Sequence, residues 1–159
     1  MAVRYLGMYS LLAAFVGFAP VPTAFAEEKF EWHGWSGEGS ASLVYGVAES
    51  DHVLLSLSCE QGSAIRVVYP HEPKQPNDGG TYSLTLQAGK EIVALKTTGT
   101  RLEMDDLFIL EGDLPKGTNL VGLLTGGKTL AVSVDKDVTE LSLEGAATAG
   151  SALFEICGR

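Results

Sequence analysis

The chain has 159 residues and sets 11 Lys and Arg against 20 Asp and Glu, giving a formal charge of −9 at pH 7. That balance repels phosphate backbones and anionic lipid, so nucleic acid and acidic membrane surfaces are disfavoured as partners. A cationic protein or peptide is the partner that charge favours, and the same charge serves simple solubility.

In chain order, Arg4 precedes the apolar run Leu6 to Phe18, which is too short to span a bilayer, and Pro20 and Pro22 then end it. Ala24-Phe25-Ala26 offers small residues two apart, the pattern signal peptidase requires. The sequence therefore predicts a cleaved signal peptide over residues 1–26, and a single β-rich domain over residues 27–159 in a periplasmic or secreted location. No cysteine lies near the cut to carry a lipid, and the mature form is expected to lack a membrane span. The removed segment holds one cation and no acid, leaving 133 residues with a charge of −10, long enough to bury a core without subdividing.

Glu27 to Phe30 is expected to fray. Alternating polarity then predicts strands at Ala41 to Val47, His52 to Cys59, Ala64 to Tyr69, Thr81 to Gln87, Glu91 to Thr97, Thr100 to Met104, Leu107 to Leu110, Lys128 to Asp135 and Thr139 to Leu143. In the second of these, Val53, Leu55, Leu57 and Cys59 share one face. Turn chemistry at Asn77 to Gly80, Ala88 to Lys90 and Thr125 to Gly127 separates strands. The polar, proline-bearing stretch Glu72 to Gly80 reads as a mobile loop. So many short strands predict a mainly β fold, an antiparallel β-sandwich or small barrel.

The end of the chain changes period. Ala146, Ala149, Gly150, Leu153, Ile156 and Cys157 recur at three- and four-residue spacing, predicting one C-terminal α-helix laid on the sheet. Cys59 and Cys157 are the two cysteines, and in an oxidising compartment an even pair reads as a disulfide. The helix stripe brings Cys157 toward an inward-facing Cys59. A redox-active thiol lacks the C-x-x-C spacing that would support it.

No template for chemistry fits. Gly122 to Thr129 satisfies G-x-x-x-x-G-K-[ST], but the residues after Lys128 alternate as a strand, whereas a phosphate loop needs a helix there. His33, His52 and His71 lack the spacing that puts two ligands on one face, so no metal or other cofactor is expected. Gly34 to Ser40 misses the nucleophile elbow of serine hydrolases. Asp105 and Asp106 fall on opposite faces if extended, so with Glu103 they read as a solvated turn rather than a catalytic carboxylate pair. No catalytic residue is therefore assigned. Trp32-His33-Gly34-Trp35 is the densest aromatic cluster, and Trp32 and Trp35 are candidate binding residues for a sugar or a partner, set against the commoner use of Trp as core filling.

Cys59-Glu60-Gln61-Gly62 with the strand from Ala64, and Thr98-Gly99-Thr100-Arg101-Leu102, resemble the periplasmic inhibitors of C-type lysozyme. These are small β-barrels with an S-G-x-R-Y loop that enters the enzyme cleft. The resemblance implies that Thr98 and Arg101 would face the lysozyme carboxylates; Thr98 and Leu102 stand where that family has Ser and Tyr. Leu141-Ser142-Leu143-Glu144-Gly145-Ala146-Ala147, with Phe154 and Cys157, is similar in layout to small exported α-proteobacterial proteins of the invasion-associated locus B family, where a last strand runs through glycine into an alanine-rich helix. The expected function is a non-catalytic periplasmic binding or protein-interaction module. A lysozyme inhibitor and an enzyme with an unrecognised site are the alternatives.

Overall fold

The computed structural model describes residues 28–104 and 106–158; the predicted signal peptide and its cleavage point lie outside them. The strands are β1 (Phe30–Gly37), β2 (Ser40–Val47), β3 (Val53–Glu60), β4 (Arg66–Pro70), β5 (Thr81–Ala88), β6 (Glu91–Leu102), β7 (Leu107–Asp113), β8 (Thr129–Val134) and β9 (Asp137–Ser142). Helix α1 (Leu120–Thr125) lies between β7 and β8, and α2 (Ala146–Ala149) and α3 (Ser151–Cys157) end the chain. All nine strands form one antiparallel sheet in the order β1-β2-β3-β4-β7-β6-β5-β8-β9, curled into a half-barrel. Of the two predicted β architectures, the barrel-like one describes it.

Period-2 patterning explains the curl. Leu43, Leu55, Leu57, Val67, Leu84, Leu86, Leu110, Leu130, Val132 and Leu141 are all fully or almost fully buried on the concave face, and a single sheet can hide that many apolar side chains only by wrapping around them. Two side-chain hydrogen bonds draw the last strand toward the first half of the sheet. Trp32 on β1 donates its indole N–H to the Ser142 carbonyl at 2.6 Å, and the Tyr69 hydroxyl on β4 donates to Thr139 Oγ1 at 2.9 Å.

β4, β7, β6 and β5 make a Greek key, with the chain crossing the barrel end from β4 to reach β5. That crossing is the Glu72 to Gly80 stretch expected to be mobile. It is instead pinned: the Tyr82 hydroxyl accepts from Asn77 N at 2.7 Å, Asp78 accepts from Arg101 N at 2.9 Å, and Gly79 N donates to the Gly99 carbonyl at 2.8 Å. Propensity marked it as a loop correctly but carries no information about the strands it crosses.

Four further expectations change. Phe30 is the first residue of β1, packed on Tyr45 and edge-on to His52, rather than a frayed end. The segments Glu91 to Thr97 and Thr100 to Met104 are one strand, β6, running straight through Gly99. Leu120–Thr125 is a helix that periodicity did not suggest, its start capped by Asn119, which accepts from Gly122 N at 2.9 Å. The C-terminal helix is two pieces meeting at Gly150, a poor helix former.

The helices cover one end of the barrel. Leu120, Leu123, Leu124, Ala146 and Leu153 are buried, and α3 lies over β1, β2 and β3. A Cβ at Gly34 would overlap the Ala149 carbonyl oxygen, so α2 seats against β1 because residue 34 is glycine. Cys59 on the inner face of β3 and Cys157 at the end of α3 form a disulfide, Cα to Cα 6.3 Å. Among the described residues no helix is long and apolar enough to cross a membrane.

Candidate functional site

Strand register assembles the most distinctive surface of the molecule. Trp35 pairs with Ser42, Ser42 with Ser58, Ser58 with Arg66 and Arg66 with Asp113, so these five residues stand in one row across five adjacent strands. Their neighbours Ala41, Cys59, Val67 and Gly112 belong to the inner face, so alternation turns the whole row outward. At the usual strand separation of about 4.8 Å the row runs for about 19 Å. A neighbouring row adds Gly37, Ser40 and Glu60.

All of these residues except Gly37 line a groove of about 550 Å³, with Ser63 and Ala64 of the β3–β4 turn forming part of its wall. That volume lies within the range of about 300–1,000 Å³ typical of small-molecule clefts. The floor is small and hydroxylated because serine occupies outward positions 40, 42 and 58 of β2 and β3. One end is aromatic: Trp35 is 61% exposed, whereas Trp32 is 7% exposed. The indole lies over Gly37, where a Cβ would stand 3.0 Å from Trp35 Cζ2. Glycine at 37 thus lets the ring rest against the strand and present its other face outward. The opposite end is charged, with Arg66 Nε 3.9 Å from Asp113 Oδ1 and both side chains more than half exposed. Such an ion pair is worth at most about 1 kcal/mol, so both groups remain free to exchange each other for a ligand.

A comparison with family models, curated proteins and solved structures finds no match. The chemistry must be read from the groove itself.

The two tryptophans singled out in the sequence therefore part company. Trp32 fills the core against Tyr45, ring centroids 5.0 Å apart, and Trp35 is surface. Thr98 and Arg101 do not meet: they are three residues apart on β6, and strand parity sends Thr98 outward and Arg101 to the inner rim. Arg101 sits 5.2 Å above the Phe108 ring and is held by Glu72 and Asp106. Its hydrogen bond to Glu72 is the main reason its pKa is raised, keeping the guanidinium charged. Gly99 between them is covered by the Tyr82 and Phe108 rings, which meet edge to face at 5.9 Å. The stretch likened to an inhibitor loop is thus the last five residues of strand β6, paired throughout with β7.

The glycine-lysine motif is inverted: a helix leads into Gly126-Gly127 and strand β8 leaves it, opposite to the order a phosphate loop requires. His33 lies on β1, His52 Nδ1 donates to Glu28 Oε2 at 3.1 Å, and His71 stacks on Tyr69; among the described residues no three His, Cys, Asp or Glu gather to hold a metal. A second cavity of about 560 Å³ lies between the β3–β4 turn, residues 114–118 and the end of α3. Ser42, Ser58, Arg66 and Asp113 escaped the sequence reading. The available signal was the serine at outward positions 40, 42, 56 and 58 of β2 and β3, which alternation alone marks as solvent-facing.

Proposed function

We propose that the protein is a non-catalytic binding module of an exported compartment, taking its ligand in the groove between Trp35 and Asp113. The observation that carries this reading is the exposed Trp35 indole, seated on Gly37 at the head of a row of hydroxyls. A large apolar ring left in water beside a cleft favours a ligand that covers it, at roughly 25 cal/mol per Å² of apolar surface removed from water. The other polar lining groups are hydroxyls, the Glu60 carboxylate and an exposed ion pair, which hold and orient a ligand. Export is supported by the Cys59–Cys157 disulfide, a bond that persists in oxidising compartments, and by the leader-like character of residues 1–26.

The lysozyme-inhibitor alternative gains no support from residues on opposite faces of β6. The test is a binding screen of the purified, disulfide-bonded protein against arrays of glycans, cationic and neutral peptides and small metabolites, with Trp35→Ala in parallel. Binding lost in the variant supports the reading. Binding that Trp35→Ala retains in full, or no ligand in any class, overturns it.

A further inference from the structure

We infer that the ligand of the Trp35 groove is a neutral, β-linked oligosaccharide lying along the row from Trp35 to Asp113, an inference that rests on the binding reading above. Three features of the row select this class. An indole lying flat offers an apolar, electron-rich face, and a pyranose ring whose hydroxyls are equatorial presents a matching face of C–H groups. Its hydroxyls then project sideways, where Ser42 and Ser58 can each donate and accept.

The charged end completes the match. Asp113 and Arg66, barely paired at 3.9 Å, offer a two-oxygen acceptor and a forked donor, the geometry that grips adjacent hydroxyls with charge-assisted hydrogen bonds. The spacing also fits. Strands are about 4.8 Å apart, close to the advance of an extended β-linked glycan per sugar. Successive rings can therefore meet successive members of the row: indole, hydroxyl, hydroxyl, then the Arg66–Asp113 pair.

Charge narrows the class further. Glu60, Arg66 and Asp113 give the lining a net negative charge, and the chain as a whole carries −9. Uronic or sulfated glycans would be repelled. A peptide is a poorer fit, because peptide grooves fix alternate side chains in apolar pockets, whereas this floor is serine.

The experiment titrates the purified disulfide-bonded protein with cellotetraose and with chitotetraose, following tryptophan fluorescence and heat of binding. Trp35→Ala, Trp35→Phe, and Ser42→Val with Ser58→Val are run alongside, each checked for native circular dichroism. The valine pair removes the hydroxyls while keeping strand propensity. Expected results are saturable binding of at least one tetrasaccharide, weakened about tenfold or more in Trp35→Ala and less in Trp35→Phe, and weakened also by the valine pair. Failure of both glycans to bind overturns the inference. If a peptide or metabolite from the screen instead binds in a Trp35-dependent way, the binding-module reading survives and the glycan assignment falls. If glycans bind equally well to Trp35→Ala, both fall.

Discussion

Replacing Cys59 and Cys157 together by alanine should cost the protein a large share of its stability, and the size follows from topology. The bond joins residues 98 apart. By the chain-entropy relation, a cross-link closing a loop of that length removes unfolded-state entropy worth about 4.7 kcal/mol at 25 °C. Retained structure in the unfolded chain lowers the measured figure, so a loss of about 3 to 4 kcal/mol is expected, from a total that for a domain of this size is about 5–15 kcal/mol. The fold adds a second consequence. Helix α3 holds Leu153 buried over β2 and β3, but at seven residues it is too short to persist alone. The assay is equilibrium urea unfolding followed by fluorescence of the buried Trp32. The midpoint should fall, and the slope m should rise because the unlinked unfolded chain exposes more surface. A loss below about 1 kcal/mol with an unchanged slope would refute the reasoning, since it would mean that the bond does not restrain the unfolded chain.

Other substitutions probe the fold and separate it from the groove. Trp32→Ala should cost about 3–5 kcal/mol by emptying a core site and also release the Ser142 carbonyl, whereas Trp35→Ala should stay within about 0.5 kcal/mol; urea midpoints of the two variants compare them directly. Gly34→Ala should push α2 off β1, costing about 1–3 kcal/mol and speeding hydrogen exchange in residues 146–157. Tyr69→Phe should lose about 1 kcal/mol with the Thr139 hydrogen bond, and leave glycan binding unchanged. Because the hydrogen bond to Glu72 raises the Arg101 pKa from an already high value, the guanidinium stays charged throughout the accessible range. Its contacts should persist as pH rises from 7 to 9, a point that NMR chemical shifts of the Glu72 and Asp78 amides would test.

Much of the scaffold was legible because a half-buried sheet writes itself as period-2 alternation. Val53 to Cys59 shows it: the inward residues could be read off in order, Cys59 among them. The same logic failed at β1, where Phe30-Glu31-Trp32-His33-Gly34-Trp35-Ser36-Gly37 looks like a glycine-rich loop. Its glycines are there for contacts that the chain reveals only when folded, Gly34 with α2 and Gly37 with the Trp35 ring. Gly99 misled in a similar way, suggesting a turn where β6 continues beneath two aromatic rings. Helix α1 went unread because six residues hold too little periodicity to declare a helix.

The candidate site was legible only at one end. Trp35 stands out in any sequence, but Ser42, Ser58, Arg66 and Asp113 are unremarkable polar residues separated by up to 78 positions from it. What joins them is register, fixed by which inner-face side chains pack, and by a Greek-key crossing that sets β7 beside β4. Neither is a local property of the chain.

The central claim is that Trp35 and the row behind it bind a glycan. The most direct measurement is the amide and indole N–H spectrum of the labelled, disulfide-bonded protein, in which Trp32 and Trp35 each give one indole signal, recorded during titration with cellotetraose and chitotetraose. The account predicts that the Trp35 indole and the amides of Ser42, Ser58, Arg66 and Asp113 shift together and saturate, while the Trp32 indole, buried and bonded to Ser142, holds still. Spectra that stay unchanged at saturating oligosaccharide, or shifts confined to other faces of the barrel, would contradict it.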